Sequence, residues 1–267
     1  MRESSLGKSA VLGLVTAMAI AFGCSSFESE TPATTDAGVD AARGAATDAG
    51  MDATITPAPS FCETMPDAAL CKDFDEESVP IAAGFDTILF DAGARDSLFY
   101  ASPPSSLVVV GQGPSVAAIL ERELTESSKG YDVRLQMRLG DDQGKLPDSQ
   151  YLLPLRLQTG TSPNLCTIDL LLNNDSLDLV AEGDTPVRPP LLSRPQPGKW
   201  SAVHIDLTRD VDDKMGISMD VDGLAALNGQ PITLPCSFKG KMRFAVGARY
   251  ATAGLAVRFD DIAVHLH

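Results

Sequence analysis

From Phe61 onward the chain alternates between apolar and polar positions. In Tyr131-Asp-Val-Arg-Leu-Gln-Met-Arg-Leu139 every odd position is apolar and every even one polar, the period of a strand that buries one face. Met242, Phe244, Val246, Ala248 and Tyr250 share one parity, with Arg243 and Arg249 on the other. The same reading predicts strands near 84–91, 97–100, 106–110, 115–125, 151–158, 164–172, 176–182, 200–207, 215–221, 229–234 and 254–266. Turn-forming residues separate them, as in Gly140-Asp-Asp-Gln-Gly144 and Asn173-Asn-Asp175. No stretch carries a strong 3.6-residue stripe, although Val116 to Leu124 reads either way. Roughly a dozen short strands at this spacing predict an all-β fold of two packed antiparallel sheets.

The closing strand changes parity. Val257 and Phe259 put its apolar face on odd numbers, whereas Ile262, Val264 and Leu266 put it on even ones. A continuous strand makes that change by taking in one extra residue, which predicts a β-bulge at Asp260–Asp261.

Composition narrows the function classes. The 267 residues carry a formal charge of −15, which argues against a nucleic-acid partner, since such binding rests on basic patches. A hydrophobic fraction of 44% excludes wholesale disorder, and no apolar run reaches the roughly 20 residues of a membrane helix.

The first residues read as an address. Arg2 and Lys8 precede an apolar run from Ala10 to Phe22, the plan of a secretory signal peptide. Ala21-Phe22-Gly23-Cys24 resembles a bacterial lipoprotein lipobox, with Ala21 where leucine is commonest. The resemblance implies removal of residues 1–23, acylation of Cys24 and a membrane partner reached through that lipid. With Ser25 in place of an aspartate, the resemblance favours the outer membrane in a host that has two membranes. Residues 24–60 are rich in Ala, Thr, Asp and Pro, with six acidic side chains against Arg43, and read as a disordered tether. The remainder, 61–267, is the folded domain.

Without Cys24 four cysteines remain, an even number that suits disulfides in an oxidising compartment. Three pairings are open. Cys62–Cys71 with Cys166–Cys236 is favoured, because the first two are close in sequence and open the domain. On the loop-entropy view the two closures contribute roughly 3 and 4 kcal/mol. A zinc site is disfavoured, as no two cysteines stand about two to four residues apart.

Three patterns occur in order: Gly198-Lys-Trp-Ser-Ala-Val-His-Ile-Asp206, Gly216-Ile-Ser-Met-Asp-Val-Asp-Gly223 and Ala256-Val-Arg-Phe-Asp-Asp-Ile-Ala-Val264. Together they resemble the strands of concanavalin A-like, laminin-G-like jelly rolls. The opening Phe61-Cys … Leu70-Cys-Lys-Asp-Phe-Asp75 and Ser102-Pro-Pro-Ser-Ser-Leu107 are similar to the same domain in lipoproteins of myxobacterial type. The resemblance spans about 61–267 and implies a jelly-roll sandwich, with Trp200 at a core position. It says less about function, because this fold hosts lectins, hydrolases and adhesion modules.

The resemblance also implies candidate chemistry. Carbohydrate-binding jelly rolls often hold a structural calcium between a C-terminal acid and one on the opening strand; here Asp260 and Asp261 would face Asp73, Asp75 and Glu76. Calcium needs six to eight oxygen ligands, and the plainer reading is a solvated Asp pair. Laminarinase-type members carry Glu-x-Asp-x-x-Glu, first Glu as nucleophile and last as acid/base, about 5 Å apart. Glu121-Arg-Glu123-Leu-Thr-Glu126 is the nearest match, with Glu123 in place of the aspartate; a solvated charged strand is the simpler account. His204 falls on a polar parity, and His265 with His267 lacks a third metal ligand. Hydrolase elbow, phosphate-loop and dinucleotide motifs are absent.

Arg134, Arg138, Arg156, Arg243 and Arg249 lie on the polar parity of their strands. If those strands share one sheet, they form a basic strip able to receive an acidic glycan or a carboxylated partner; the alternative is salt bridging with the many aspartates. The expectation is a lipid-anchored, non-enzymatic envelope module that binds a glycan or surface partner. A divergent glycoside hydrolase and a structural protein without a ligand are the alternatives.

Overall fold

The computed structural model describes residues 59–89, 93–113, 116–140, 151–160, 165–173, 176–182, 191, 195–212, 214–227, 232–234, 236, 240–249, 251 and 253–267. The expected signal peptide, Cys24, nearly all of the expected tether, most of the expected 140–144 turn, Asn174-Asp175 and Tyr250 lie outside them.

Fifteen strands appear among these residues: β1 (Leu70–Lys72), β2 (Thr87–Leu89), β3 (Ala94–Asp96), β4 (Ser106–Val110), β5 (Ala117–Leu124), β6 (Gly130–Leu139), β7 (Tyr151–Thr159), β8 (Cys166–Asn173), β9 (Ser176–Glu182), β10 (Trp200–Arg209), β11 (Met215–Val221), β12 (Leu224–Ala225), β13 (Ile232–Thr233), β14 (Met242–Arg249) and β15 (Ala256–Leu266). The only helical piece among them is a 3₁₀ turn, Cys62–Thr64. The first sheet runs β12-β11-β10-β6-β15-β4-β3, with β1 on β15 and β13 on β11; the second runs β2-β5-β14-β7-β8-β9. Every pairing is antiparallel.

The period-two pattern explains the layers. Val133, Leu135 and Met137 of β6 and Val203, Ile205 and Leu207 of β10 turn to one interior, where Leu155, Leu157, Phe244 and Val246 of the second sheet meet them. Phe244 and Phe259 are fully buried; burying a side chain of that size stabilises by about 1.5–3 kcal/mol. The ambiguous 116–124 segment is a strand, and its edge contact is tight. A Cβ on Gly247 of β14 would stand 2.2 Å from the Ala118 carbonyl oxygen of β5.

The expected bulge is present. The register of β15 on β6 shifts between Asp260 and Ala263, and Asp261 takes a left-handed φ of 49°. Val257 and Phe259 before it and Ile262 and Val264 after it all reach the core. On its other edge β15 pairs with β4 before the bulge and with β1 after it.

Two expectations need correction. Residues 97–100 form a loop rather than a strand, and the strand lies just before it at Ala94–Asp96. Trp200 is half-buried on the outward parity of β10, while its neighbour Ser201 is the buried one. The disulfides are Cys62–Cys71 and Cys166–Cys236, as expected. They indicate an exported protein, and among the described residues no helix is long and apolar enough to cross a membrane.

Candidate functional site

On the outer face of the first sheet, Arg138 of β6 and Arg258 of β15 stand opposite each other. The 97–105 segment folds over them. The Phe99 ring lies on both guanidinium groups, 4.0 Å from Arg138 Cζ and 4.6 Å from Arg258 Cζ, a cation–π stack strengthened by burial. Arg258 Nε donates to Asp96 Oδ2 at 2.6 Å, with both side chains nearly excluded from solvent. Burial works against the Asp96 charge, yet the Arg258 hydrogen bond and the N–H groups of Leu98 and Phe99 hold its carboxyl below the usual range.

The bulge pins the same segment. Ala101 and Ser102 donate their N–H groups to Asp260 Oδ2 at 2.9 Å each, and the Asp261 N–H donates to Oδ1 at 3.0 Å. The Ser102 hydroxyl donates to Asp261 at 2.8 Å. Burial pushes the Asp260 carboxyl up to about 7 against these donors, with the Asp261 charge adding to the rise. Asp261 is raised too, chiefly by burial and then by Asp73. Burial likewise takes Asp75 up to about 6, helped by the charges of Asp73 and Asp261; its Oδ1 is buried without a partner.

Closing-strand and opening-strand acids therefore do influence one another, but the four-residue calcium set does not assemble. Asp260 is filled by the backbone N–H groups of Ala101 and Ser102, just past the 97–100 loop, and of Asp261. Glu76 is exposed and contributes its backbone carbonyl to Arg95 Nη2. Among the described residues no three His, Cys, Asp or Glu side chains gather closely enough to hold a metal ion. Asp73, Asp75 and Asp261 are what remains of the expected site.

The second sheet presents a different face. Its outward positions include Glu121 and Glu123 on β5, Arg243 on β14, Arg156 on β7 and Asp169 on β8, because their neighbours along each strand fill the core. Arg156 and Asp169 form a two-bond ion pair, both contacts at 2.6 Å. Toward the β2 edge the face opens into a groove lined by Asp86, Thr87, Glu121, Arg122, Glu123 and Arg243. Asp86 accepts from Arg122 Nη1 at 2.8 Å and from the Glu123 N–H at 2.7 Å. Lys241 Nζ donates to Glu123 at 2.5 Å. Glu121 and Arg243 touch only at 4.0 Å, beyond hydrogen-bond reach.

The predicted basic strip is not formed, because its arginines divide between two sheets. Arg134 and Arg138 lie on the first, Arg156, Arg243 and Arg249 on the second. Arg134 is held by Asp132 through two hydrogen bonds of 2.8 and 2.9 Å. Those bonds and His204 outweigh burial and keep the Asp132 carboxyl low. Glu126 lies past the end of β5, exposed, and does not share the groove with Glu121 and Glu123. His204 is half-exposed between Asp132 and Asp220, at 3.2 and 3.4 Å, and His267 contacts Asp206 at 2.9 Å.

Asp86, Thr87 and Arg122 escaped the sequence reading. Arg122 offered a signal: it occupies an inward parity shared with Ala118, Leu120 and Leu124, where a charge needs a partner.

No family model matches the chain, and no curated protein matches it either. Solved structures do. An endo-β-1,4-glucuronan lyase from the fungus Trichoderma reesei superposes with a TM-score of 0.56 at 13% identity, over 75% of this chain and 96% of the lyase. A carbohydrate esterase from the Shiga toxin-encoding bacteriophage phi24B gives 0.55 at 14% identity, over 75% and 98%. A cellulose-induced protein gives 0.50 at 19% identity, over 73% and 96%. The domain is a concanavalin A-like jelly roll. At such identities the likeness establishes the architecture alone, so the work of this jelly roll has to be argued from its own side chains.

Proposed function

We propose that the protein is a non-enzymatic, lipid-anchored module of the cell envelope that binds a glycan in the groove of the second sheet. The observation that carries this reading is an open, polar groove in which Glu121 and Arg243 stand side by side without a hydrogen bond. The two form only a loose ion pair at 4.0 Å, so their hydrogen-bonding capacity is left for a ligand. Two of the structural neighbours bear the names of carbohydrate-processing enzymes, in keeping with a sugar partner. The hydrolase alternative loses support, since Glu126 does not line the groove that Glu121 and Glu123 share. Glycan-array binding by the full chain in detergent tests the proposal: recognition of defined glycans, lost in Arg243→Ala, is expected. Silence across the array with a folded protein would sink it. Anchoring at Cys24 is tested by palmitate labelling, which Cys24→Ser should abolish.

A second reading concerns calcium near the bulge. Asp75 Oδ1 is buried without a partner, and burial, with smaller contributions from the charges of Asp73 and Asp261, raises its proton affinity. A divalent cation drawn in by modest side-chain movement would relieve that repulsion. Calcium added at neutral pH should raise the melting temperature by several degrees and lose its effect in Asp261→Asn; an unchanged melting temperature rejects the cation.

A further inference from the structure

We propose that the groove selects a neutral sugar through a vicinal diol seated between Glu121 and Arg243, an inference that rests on the glycan-binding reading above. Of the charged side chains in the groove, Asp86 has both oxygens engaged and Glu123 is held by Lys241. Glu121 and Arg243 are only loosely ion-paired with each other and keep their hydrogen-bonding capacity. Arg243 is 48% exposed and makes no hydrogen bond among the described residues, and Glu121, 25% exposed, contacts it only at 4.0 Å. Thr87 stands directly opposite Glu121 in the register, and Arg122 Nε is buried without a partner.

The open pair therefore offers an acceptor and a multiple donor at once. A carboxylate only accepts and a guanidinium only donates, while each hydroxyl of a diol does both. A vicinal diol donates to Glu121 and accepts from Arg243, bridging the two side chains from the open side of the groove. An acidic sugar would satisfy Arg243 but meet Glu121, with Asp86 and Glu123 close by; an amino sugar would meet Arg243. The groove is lined by three carboxylates and two guanidinium groups, so a strongly charged ligand of either sign faces a like charge. None of the lining residues is aromatic, so affinity comes from hydrogen bonds and should be weak, with Kd on the order of 0.1–1 mM.

The test uses the full chain with three probes: neutral glucan oligosaccharides, oligouronates and oligoglucosamines. Neutral glucans should bind, with Kd changing less than about twofold between low and high salt, because no net charge is neutralised. Glu121→Gln and Arg243→Gln should each weaken binding about tenfold, which corresponds to about 1.4 kcal/mol, with the unfolding midpoint unchanged as the control. Binding of oligouronates alone, or tighter binding after Glu121→Gln removes a negative charge, overturns the diol while leaving glycan binding intact. Failure of all three probes overturns the glycan reading itself.

Discussion

The two outer faces of the sandwich use charge in opposite ways. On the first sheet Arg138, Arg258, Asp96 and Asp260 are covered by a loop, and each has a partner within the fold. On the second sheet, toward β2, Glu121 and Arg243 reach solvent without a hydrogen bond. A buried charge without partners costs several kcal/mol, so the covered face is constrained by stability. The exposed pair carries no such penalty and is free to serve a ligand. Mutations should therefore separate the two faces, stability responding on one and binding on the other.

The largest effect is expected at Arg258. Arg258→Met leaves the Asp96 carboxylate buried and removes one side of the Phe99 stack, at a cost of about 3–5 kcal/mol. A fall in the urea midpoint measures it, and a loss below about 1 kcal/mol would mean that the covered face is not what holds the domain together.

Acidity should act next. Asp75 and Asp260 ionise near 6 and 7 in the folded protein, against an ordinary 3.8. Between those values the folded state holds more protons than the unfolded chain, so stability falls as pH rises from about 4 to about 7. Moving Asp260 from 3.8 to about 7 corresponds to about 4 kcal/mol at most. Asp96 and Asp132, held low, work in the other direction and only in stronger acid, their contribution being lost below about pH 4. The melting temperature should be higher at pH 5 than at pH 8, and Asp260→Asn should flatten the slope. A melting temperature that climbs over this interval would contradict the buried bulge.

The smallest effect on stability belongs to the open face. Glu121→Gln should change the unfolding free energy by less than about 0.5 kcal/mol while it weakens glycan binding. Equal losses of stability from Glu121→Gln and Arg258→Met would erase the contrast between the faces.

The layered fold was readable because alternation reports which side of a strand is apolar. The bulge followed from the parity change between Phe259 and Ile262, a local fact. Alternation does not report which sheet a strand joins, so the basic strip depended on a shared sheet, and Arg138 and Arg156 lie in different sheets. Nor does it report what covers a face. Leu98-Phe99-Tyr100 has the residue types of a strand, yet Phe99 packs on two guanidinium groups outside the core. The same covering loop turned Asp260 from an expected metal ligand into an acceptor for backbone N–H groups. Glu121, Glu123 and Arg243 stood out in the sequence, but Asp86 did not, because the Arg122 it pairs with stands 36 residues later.

Strand β15 lies in the middle of its sheet, between β6 and the β4 and β1 strands, and is the last of the fifteen to leave the ribosome. Until it arrives, the inner edges of β6 and β4 lack their neighbour, and the first sheet cannot close. Nascent chains halted before Ala256 should be quickly digested by protease, and refolding should be slow, as contacts between distant parts of a chain usually make it.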